Sequence, residues 1–239
     1  MDAAKRMHVG ILTPHTADRP HYKALRELVP DGVSLTIQGL NLTASDALDG
    51  RTDQVLRGVA AMIRDHGVQG IVLTGAPMSI LNPDIEKKLA ETVRIPVTNA
   101  LRATTTALKS LGAKQLILMT PFSEEMNQRV IGQLKNFGFT VLSCPALEHL
   151  GARTGTHVDP DDIFRIVEKV AGETPGVDAV YFQGAPLNPL AVIEKLETRL
   201  HLPVVASNPA MLWHILSLLG GKYSIKGYGR LLASWPALG

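Results

Sequence analysis

One strand-and-turn sequence occurs twice in this chain, and this repeat constrains the fold more than any other feature. Residues 67–77 read GVQGIVLTGAP and residues 176–186 read GVDAVYFQGAP, with five of the eleven positions identical. Each copy is an apolar run of strand length that ends in Gly-Ala-Pro. A short apolar run bounded by turn residues is typical of a buried strand in a parallel sheet.

The repeat extends over most of each half of the chain. Three further motifs recur in the same order: Leu12-Thr13-Pro14 as Met119-Thr120-Pro121, Asn82-Pro83 as Asn188-Pro189, and Ile95-Pro96-Val97 as Leu202-Pro203-Val204. Short apolar strands alternate with amphipathic helices between these motifs. The sequence therefore predicts an α/β fold of two pseudo-symmetric α/β domains, each a small parallel sheet flanked by helices. We expect residues 1–112 plus 213–239 to form the first domain and residues 113–212 the second.

Capping residues predict where two of the helices begin. Thr52 is expected to cap a helix that ends at Gly67. Asn82 is expected to cap a second helix, with Pro83 at its first position, where a missing N–H costs nothing.

Composition excludes several classes of function. The chain has 239 residues, a formal net charge of +2 and no basic tract, so we expect no nucleic-acid partner. The apolar runs fall short of the ~18 residues of a membrane span, and the N-terminus does not resemble a signal peptide. Cys144 is the only cysteine, and the histidines show no ligand spacing, so neither a disulfide nor a metal site is predicted. We expect a cytoplasmic protein; homo-oligomerisation stays open.

A ligand site is expected where the strands end, because open parallel sheets bind ligands beyond the carboxyl ends of their strands. These ends are residues 13–16, 74–77, 120–123 and 183–186. Two pseudo-equivalent halves bring them together across a cleft lined by hydroxyls, amides and backbone N–H groups. Such groups suit a carboxylate or an enolate-like oxyanion, and glycine lets the backbone approach a ligand closely.

The motifs at these positions resemble a known superfamily over essentially the whole chain. They are LTP near the start, the TGAP turn, TPFSEEMNQR (residues 120–129), the second GAP turn, LPVVASNPAMLW (residues 202–213) and GYGRLL (residues 227–232). In order and spacing they are similar to the aspartate/glutamate racemase superfamily. The nearest branch is the one that holds arylmalonate decarboxylase and maleate cis-trans isomerase.

The resemblance implies an active site between two pseudo-symmetric domains and no cofactor. It also implies a catalytic cysteine at the turn after a strand, at one or both of the positions held here by Gly75 and Gly184. Neither residue is a thiol, and Cys144 lies away from both turns, so we expect it to be a packing residue. A tyrosine hydrogen-bond donor of the branch is replaced by Phe122, which favours an apolar group. Tyr228 and Arg230 in GYGRLL are interpreted as structural.

With both thiols absent, another group must carry the proton. His15 is the candidate, because it lies in the first loop and histidine titrates near neutral pH. Asp18 and His21, in the following stretch DRPHY, are interpreted as an ordinary junction between loop and helix. We predict His15, Thr74 and Gln183 as catalytic. The predicted substrate-binding residues are Thr13, Pro14, Gly75, Ala76, Phe122, Ser123, Asn127, Gly184 and Ala185.

The leading hypothesis is a cofactor-independent enzyme of the decarboxylase or isomerase type acting on a small carboxylate or dicarboxylate. An enediolate-like intermediate would be stabilised by Thr74, Gln183 and the N–H groups of Ala76 and Ala185. His15 or a bound water would deliver the proton. Two alternatives stay open: a hydratase or hydrolase with an activated water in the room left by the two glycines, and a non-catalytic carboxylate-binding protein.

Overall fold

The chain forms eight strands and ten helices in the part of it that the structure describes. The computed structural model covers residues 6–42, 48–147 and 158–238, with the backbone alone for residues 20, 21 and 23; the side chain of His21 is therefore outside the description. The first half comprises β1 (Met7–Thr13), α1 (Pro20–Glu27), β2 (Val33–Gly39), α2 (Thr52–His66), β3 (Gly70–Leu73), α3 (Ala76–Leu81), α4 (Ile85–Thr92), β4 (Val97–Asn99) and α5 (Ala100–Ser110). The second half comprises β5 (Gln115–Met119), α6 (Glu124–Asn136), β6 (Thr140–Ser143), α7 (Pro160–Gly172), β7 (Ala179–Phe182), α8 (Ile193–Leu200), β8 (Val204–Ala206), α9 (Ser207–Leu218) and α10 (Arg230–Ser234).

The strands form two four-stranded parallel sheets of identical topology. Their orders are β2-β1-β3-β4 and β6-β5-β7-β8. In register, Leu12 of β1 lies opposite Leu73 of β3, and Met119 of β5 lies opposite Phe182 of β7. The predicted α/β fold with two pseudo-symmetric sheets is confirmed. In each sheet the two central strands end at the same level, which places their following loops side by side.

Both predictions of capping residues are wrong, because tertiary partners take the side chains. Helix α2 ends at Gly67 as expected, but its N-cap is Arg51; Thr52 donates instead to Asp84 Oδ1 at 2.7 Å. Asn82 follows α3, and its Oδ1, the atom that a cap would use, accepts from the N–H of Arg51 at 2.6 Å. Helix α4 begins only at Ile85.

The last long helix of each half packs on the sheet of the other half. In α5, Thr104 Oγ1 lies 2.8 Å from Tyr181 Oη of β7. In α9, His214 Nδ1 lies 2.7 Å from Thr98 Oγ1 of β4. Since α5 and α9 also pack on each other, the apolar core runs without a break from the first sheet to the second. The two halves therefore share one apolar core.

The C-terminal segment contacts both halves. Tyr223 Oη lies 3.6 Å from Met7 Sδ of β1, whereas the N–H of Arg230 donates to Glu197 Oε2 of α8 at 2.7 Å. Burial raises the pKa of the Glu197 carboxyl, and the N–H groups of Val204 and Arg230 offset part of that effect. These contacts give Arg230 a structural position. The proposed domain boundary at residue 213 stays a prediction.

Candidate active site

The two Gly-Ala-Pro turns have the same backbone geometry. The N–H of Gln183 continues β7 by donating to the carbonyl of Met119 at 2.9 Å, and the carbonyl of Gly184 then accepts from the N–H of Leu187 at 3.1 Å. In the first half, the N–H of Thr74 donates to Leu12 at 3.0 Å and the carbonyl of Gly75 accepts from Met78 at 3.1 Å. Both glycines have positive φ, +85° at Gly75 and +111° at Gly184. The sequence repeat thus corresponds to a repeat in structure.

The first turn also faces the second half. Helix α3, which begins at Ala76, contacts helix α6, which follows the loop of residues 120–123. The N–H groups of Ala76 and Ala185 make no hydrogen bond to any residue that the structure describes. They remain available to a ligand oxygen.

Three hydroxyl groups form a buried network below the first turn. Tyr22 Oη of α1 donates to Thr13 Oγ1 and lies 3.1 Å from Thr74 Oγ1. A phenol carries one hydrogen, so while Tyr22 donates to Thr13, Thr74 donates to Tyr22. Burial raises the pKa of Tyr22, which keeps the phenol neutral. The sequence prediction included both threonines but missed Tyr22. Only knowledge that α1 packs near the ends of β1 and β3 could have indicated this residue.

His15 is half-buried beside this network and turns away from it. Its Nδ1 lies 3.3 Å from the carbonyl of Leu42, so Nδ1 donates and Nε2 is left as the second ring nitrogen. Burial lowers the pKa of His15, partly offset by this hydrogen bond, and Arg19 lowers it further. Among the described residues, only Pro14 comes within 4 Å of the position a Cβ would take at Gly75. His15 is therefore not among the residues within 4 Å of that Cβ position, and its catalytic role stays a prediction.

The second half has a matching threonine with different partners. Thr120 Oγ1 accepts from the N–H of Phe122 at 3.3 Å, as Thr13 Oγ1 accepts from the N–H of His15 at 3.4 Å. Thr120 donates to Oδ1 of the buried Asn127, whose Nδ2 lies 3.4 Å from the carbonyl of Phe122. Asn127 therefore supports the loop from below, and Ser123 is exposed at the N-cap of α6.

Gln183 is buried at the end of β7 and connects the two halves. Its Oε1 accepts from Tyr181 Oη, which also contacts Thr104 of α5. With Oε1 engaged, the amide nitrogen is the part of Gln183 that can donate to a ligand. Burial raises the pKa of Tyr181, so this phenol too stays neutral.

The two glycine turns differ in the space beside them. A Cβ at Gly75 would lie 3.7 Å from Pro14 Cγ, an ordinary contact distance. A Cβ at Gly184 would lie 2.6 Å from Pro121 Cδ and 3.4 Å from Phe122 Cζ. The expectation that both glycines leave room for a water is therefore wrong at Gly184, because Pro121 and Phe122 fill that space. The partly exposed Gly75 therefore has room for a side-chain carbon, whereas the buried Gly184 has none.

Cys144 lies just after β6 and away from both turns. Its side chain is partly buried, and burial together with Glu124 raises the pKa of the thiol to about 11. A thiol with so high a pKa is a poor nucleophile at neutral pH.

Among the described residues, no set of three or more His, Cys, Asp or Glu side chains is placed to hold a metal ion. No described helix combines the length and apolarity needed to cross a membrane.

Comparison with known proteins identifies the family. A family model described as arylmalonate decarboxylase matches residues 9–232. The chain belongs to this family. The arylmalonate decarboxylase of Bordetella bronchiseptica is 26% identical over 240 residues, which cover 97% of this chain and 98% of that protein. A maleate isomerase of Geobacillus stearothermophilus is 27% identical over 139 residues, or 58% of this chain and 55% of that protein.

Solved structures show the same relationship. A crystal structure of arylmalonate decarboxylase superposes with a TM-score of 0.81 and 25% identity, covering 95% of this chain and 99% of the other. A maleate isomerase from Pseudomonas putida S16 shares the fold, with a TM-score of 0.75 and 19% identity over 96% of this chain and 99% of the other. The predicted branch of the superfamily is thus confirmed, and its characterised members here are a lyase and an isomerase. Which residues of this chain act on a substrate stays a prediction.

Proposed function

We propose that this protein is a decarboxylase or isomerase that acts on a small carboxylate or dicarboxylate through an enediolate-like intermediate, without a cysteine at either turn. Membership of the arylmalonate decarboxylase family supports the reaction class. The observation that carries the proposal is the paired arrangement of the Thr74 and Gln183 turns at the carboxyl ends of two equivalent sheets. Each turn combines a buried polar side chain with a backbone N–H that has no partner among the described residues.

These groups fit the charge that develops in such a reaction. In a decarboxylation, the bond between the α-carbon and one carboxylate breaks, CO₂ leaves, and the electron pair moves into the remaining carboxylate as an enediolate. The N–H groups of Ala76 and Ala185 and the amide of Gln183 are donors for its two oxygens. A proton must then add to the α-carbon.

In this proposal Tyr22 changes its hydrogen-bond acceptor when a ligand binds at the first turn. While it donates to Thr13, the hydroxyl hydrogen of Thr74 points at Tyr22. A substrate oxygen at Thr74 needs that hydrogen, and Tyr22 can then turn its own hydrogen from Thr13 to Thr74. The buried phenol thus keeps Thr74 hydrogen-bonded in both states without a charged group in the site.

His15 or a bound water supplies the proton in this proposal. Nε2 of His15 has no hydrogen-bond partner among the described residues, and the partly exposed turn at Gly75 belongs to the same half of the molecule as His15.

The test is an NMR assay in D₂O at high enzyme concentration with phenylmalonate, maleate and aspartate. We expect conversion of at least one compound with solvent deuterium at carbon. The variant Thr74→Val should lose most of this activity, whereas Thr106→Val, at a partly exposed position of α5, serves as the matched control. Absence of turnover on every compound, together with absence of thermal stabilisation by any of them, refutes the proposal.

One observation favours a second function, binding of a carboxylate without conversion. The only histidine at the four strand ends bonds to Leu42 and not to the turns. This alternative predicts thermal stabilisation by a carboxylate with no product and no deuterium exchange.

A further inference from the structure

The side-chain oxygen of Asn208, at the start of α9, lacks a hydrogen-bond partner among the described residues. Asn208 is 6% exposed, and among the described residues its Oδ1 is the buried side-chain atom that bonds to nothing. Buried polar atoms in folded proteins are nearly always paired, so an unpaired one requires an explanation.

The position of Asn208 along the chain places it beside the second glycine turn. Phe182 of β7 lies opposite Ala206 of β8 in register. The next residues of the two strands, Gln183-Gly184 and Ser207-Asn208, therefore leave the carboxyl edge of the sheet side by side.

Asn208 lies on the face of α9 that packs against the first half. Ile215 and Leu219 follow Asn208 by seven and eleven residues, so all three lie on one face of the helix. Both apolar side chains pack against Gly70 at the start of β3, where a Cβ would meet Ile215 Cδ1 at 2.9 Å. His214, the residue before Ile215, hydrogen-bonds to Thr98 of β4. Thr98 lies opposite Val72, which is two residues after Gly70 in β3. The helix thus runs antiparallel to β3.

The distances complete the placement. Asn208 precedes Ile215 by seven residues, a rise of about 10 Å along a helix. From Gly70 to Leu73, β3 covers about 10 Å. This places residue 208 over the carboxyl end of β3, where the turn of Thr74 and Gly75 begins, and beside the second glycine turn.

The fold itself does not require an amide at this position. Helices α5 and α9 begin directly after β4 and β8, so Leu101 is the counterpart of Asn208 as the second residue of its helix. Leu101 is buried in the apolar core of the first half. A leucine at position 208 would avoid the unpaired amide, which indicates that the amide is retained for a ligand.

We propose that Asn208 is a substrate-binding residue whose Oδ1 accepts a hydrogen bond from the ligand. Resting on the function proposed above, this assigns the substrate to carboxylates that bear a hydroxyl or amino group beside the carboxylate. An acceptor cannot bind a carboxylate oxygen, so the partner must be an O–H or N–H of the substrate.

The experiment compares two ligands that differ in one group, hydroxymalonate and methylmalonate, by isothermal titration calorimetry. Wild-type protein should bind hydroxymalonate about fivefold to tenfold more tightly, the value of one hydrogen bond. In Asn208→Leu the ratio should fall to about one, and the unliganded variant should melt no lower than wild type. Asn208→Ala provides a second, smaller replacement, and Asn136→Leu at the exposed end of α6 is the control that keeps the ratio.

The other outcomes distinguish failure of this inference from failure of the proposed function. If wild type binds both ligands equally, or the preference persists in both Asn208 variants, the inference is wrong while the proposed function stands; a structural water on Asn208 would give that result. If wild type binds neither ligand and no other dicarboxylate, the proposed function fails as well.

Discussion

The unequal space at the two glycine turns predicts unequal effects of the same substitution. Gly75→Ala and Gly184→Ala both place a side chain at positive φ, a strain of about 1–2 kcal/mol that the two variants share. At Gly184 the new Cβ also lies 2.6 Å from Pro121 Cδ, in a buried ring that cannot swing away. Overpacking of this kind costs typically about 1–3 kcal/mol. The free energy of unfolding should fall by about 1–2 kcal/mol in Gly75→Ala and about 2–5 kcal/mol in Gly184→Ala.

Urea unfolding followed by circular dichroism measures both values. Gly132→Ala is the control, because Gly132 lies within α6 with open space around it, so alanine should stabilise by up to about 1 kcal/mol. Equal losses in Gly75→Ala and Gly184→Ala would refute the closed geometry at Pro121. Gly75→Cys and Gly184→Cys should differ in the rate of labelling by a thiol reagent, since position 75 is partly exposed and position 184 is buried.

Three further predictions concern titration and hydrogen bonding. Tyr22→Phe leaves two buried threonine hydroxyls without their partner and should cost about 1–3 kcal/mol of stability, measured by urea unfolding, and lower kcat/KM. Burial, with a smaller contribution from Arg102, lowers the pKa of His214 to about 4. Between pH 6.5 and pH 4 the unfolded chain therefore binds more protons at this histidine than the folded protein does. The free energy of unfolding should fall by about 3 kcal/mol as the pH is lowered from above 6.5 to 4. His214→Gln should flatten that profile in pH-dependent unfolding, whereas exposed His66→Gln should not. If His15 donates the catalytic proton, kcat should fall as pH rises through a pKa below 6.5, and His15→Gln should abolish this dependence.

The fold was predictable because the repeat carries both strand and turn signals. Buried strands ending in Gly-Ala-Pro have few structural solutions, and their recurrence indicates two equal sheets. The strand ends then follow, which is why Thr13, Thr74 and Gln183 are found at the expected edge. Helix starts were less predictable: Asn82 has a good capping side chain, but the N–H of the distant Arg51 occupies its Oδ1.

The parts of the site that were missed depend on contacts between distant segments. Tyr22 meets Thr74 across 52 positions of the chain, which no local pattern records. Pro121 closes the space at Gly184 only because β5 and β7 are neighbours in register. Asn208 lies on a largely apolar helix, and no local sequence pattern shows that its Oδ1 lacks a hydrogen-bond partner among the described residues.

The most direct test of the central claim, chemistry on a carboxylate without a thiol, is a comparison of wild type with Cys144→Ser. Both proteins are incubated with phenylmalonate, hydroxymalonate and maleate in D₂O, and products are followed by NMR. We expect both to convert the same compound at equal rates, with deuterium from solvent at the reacting carbon. Loss of activity in Cys144→Ser, or no conversion of any of the three compounds by wild type, would contradict the claim.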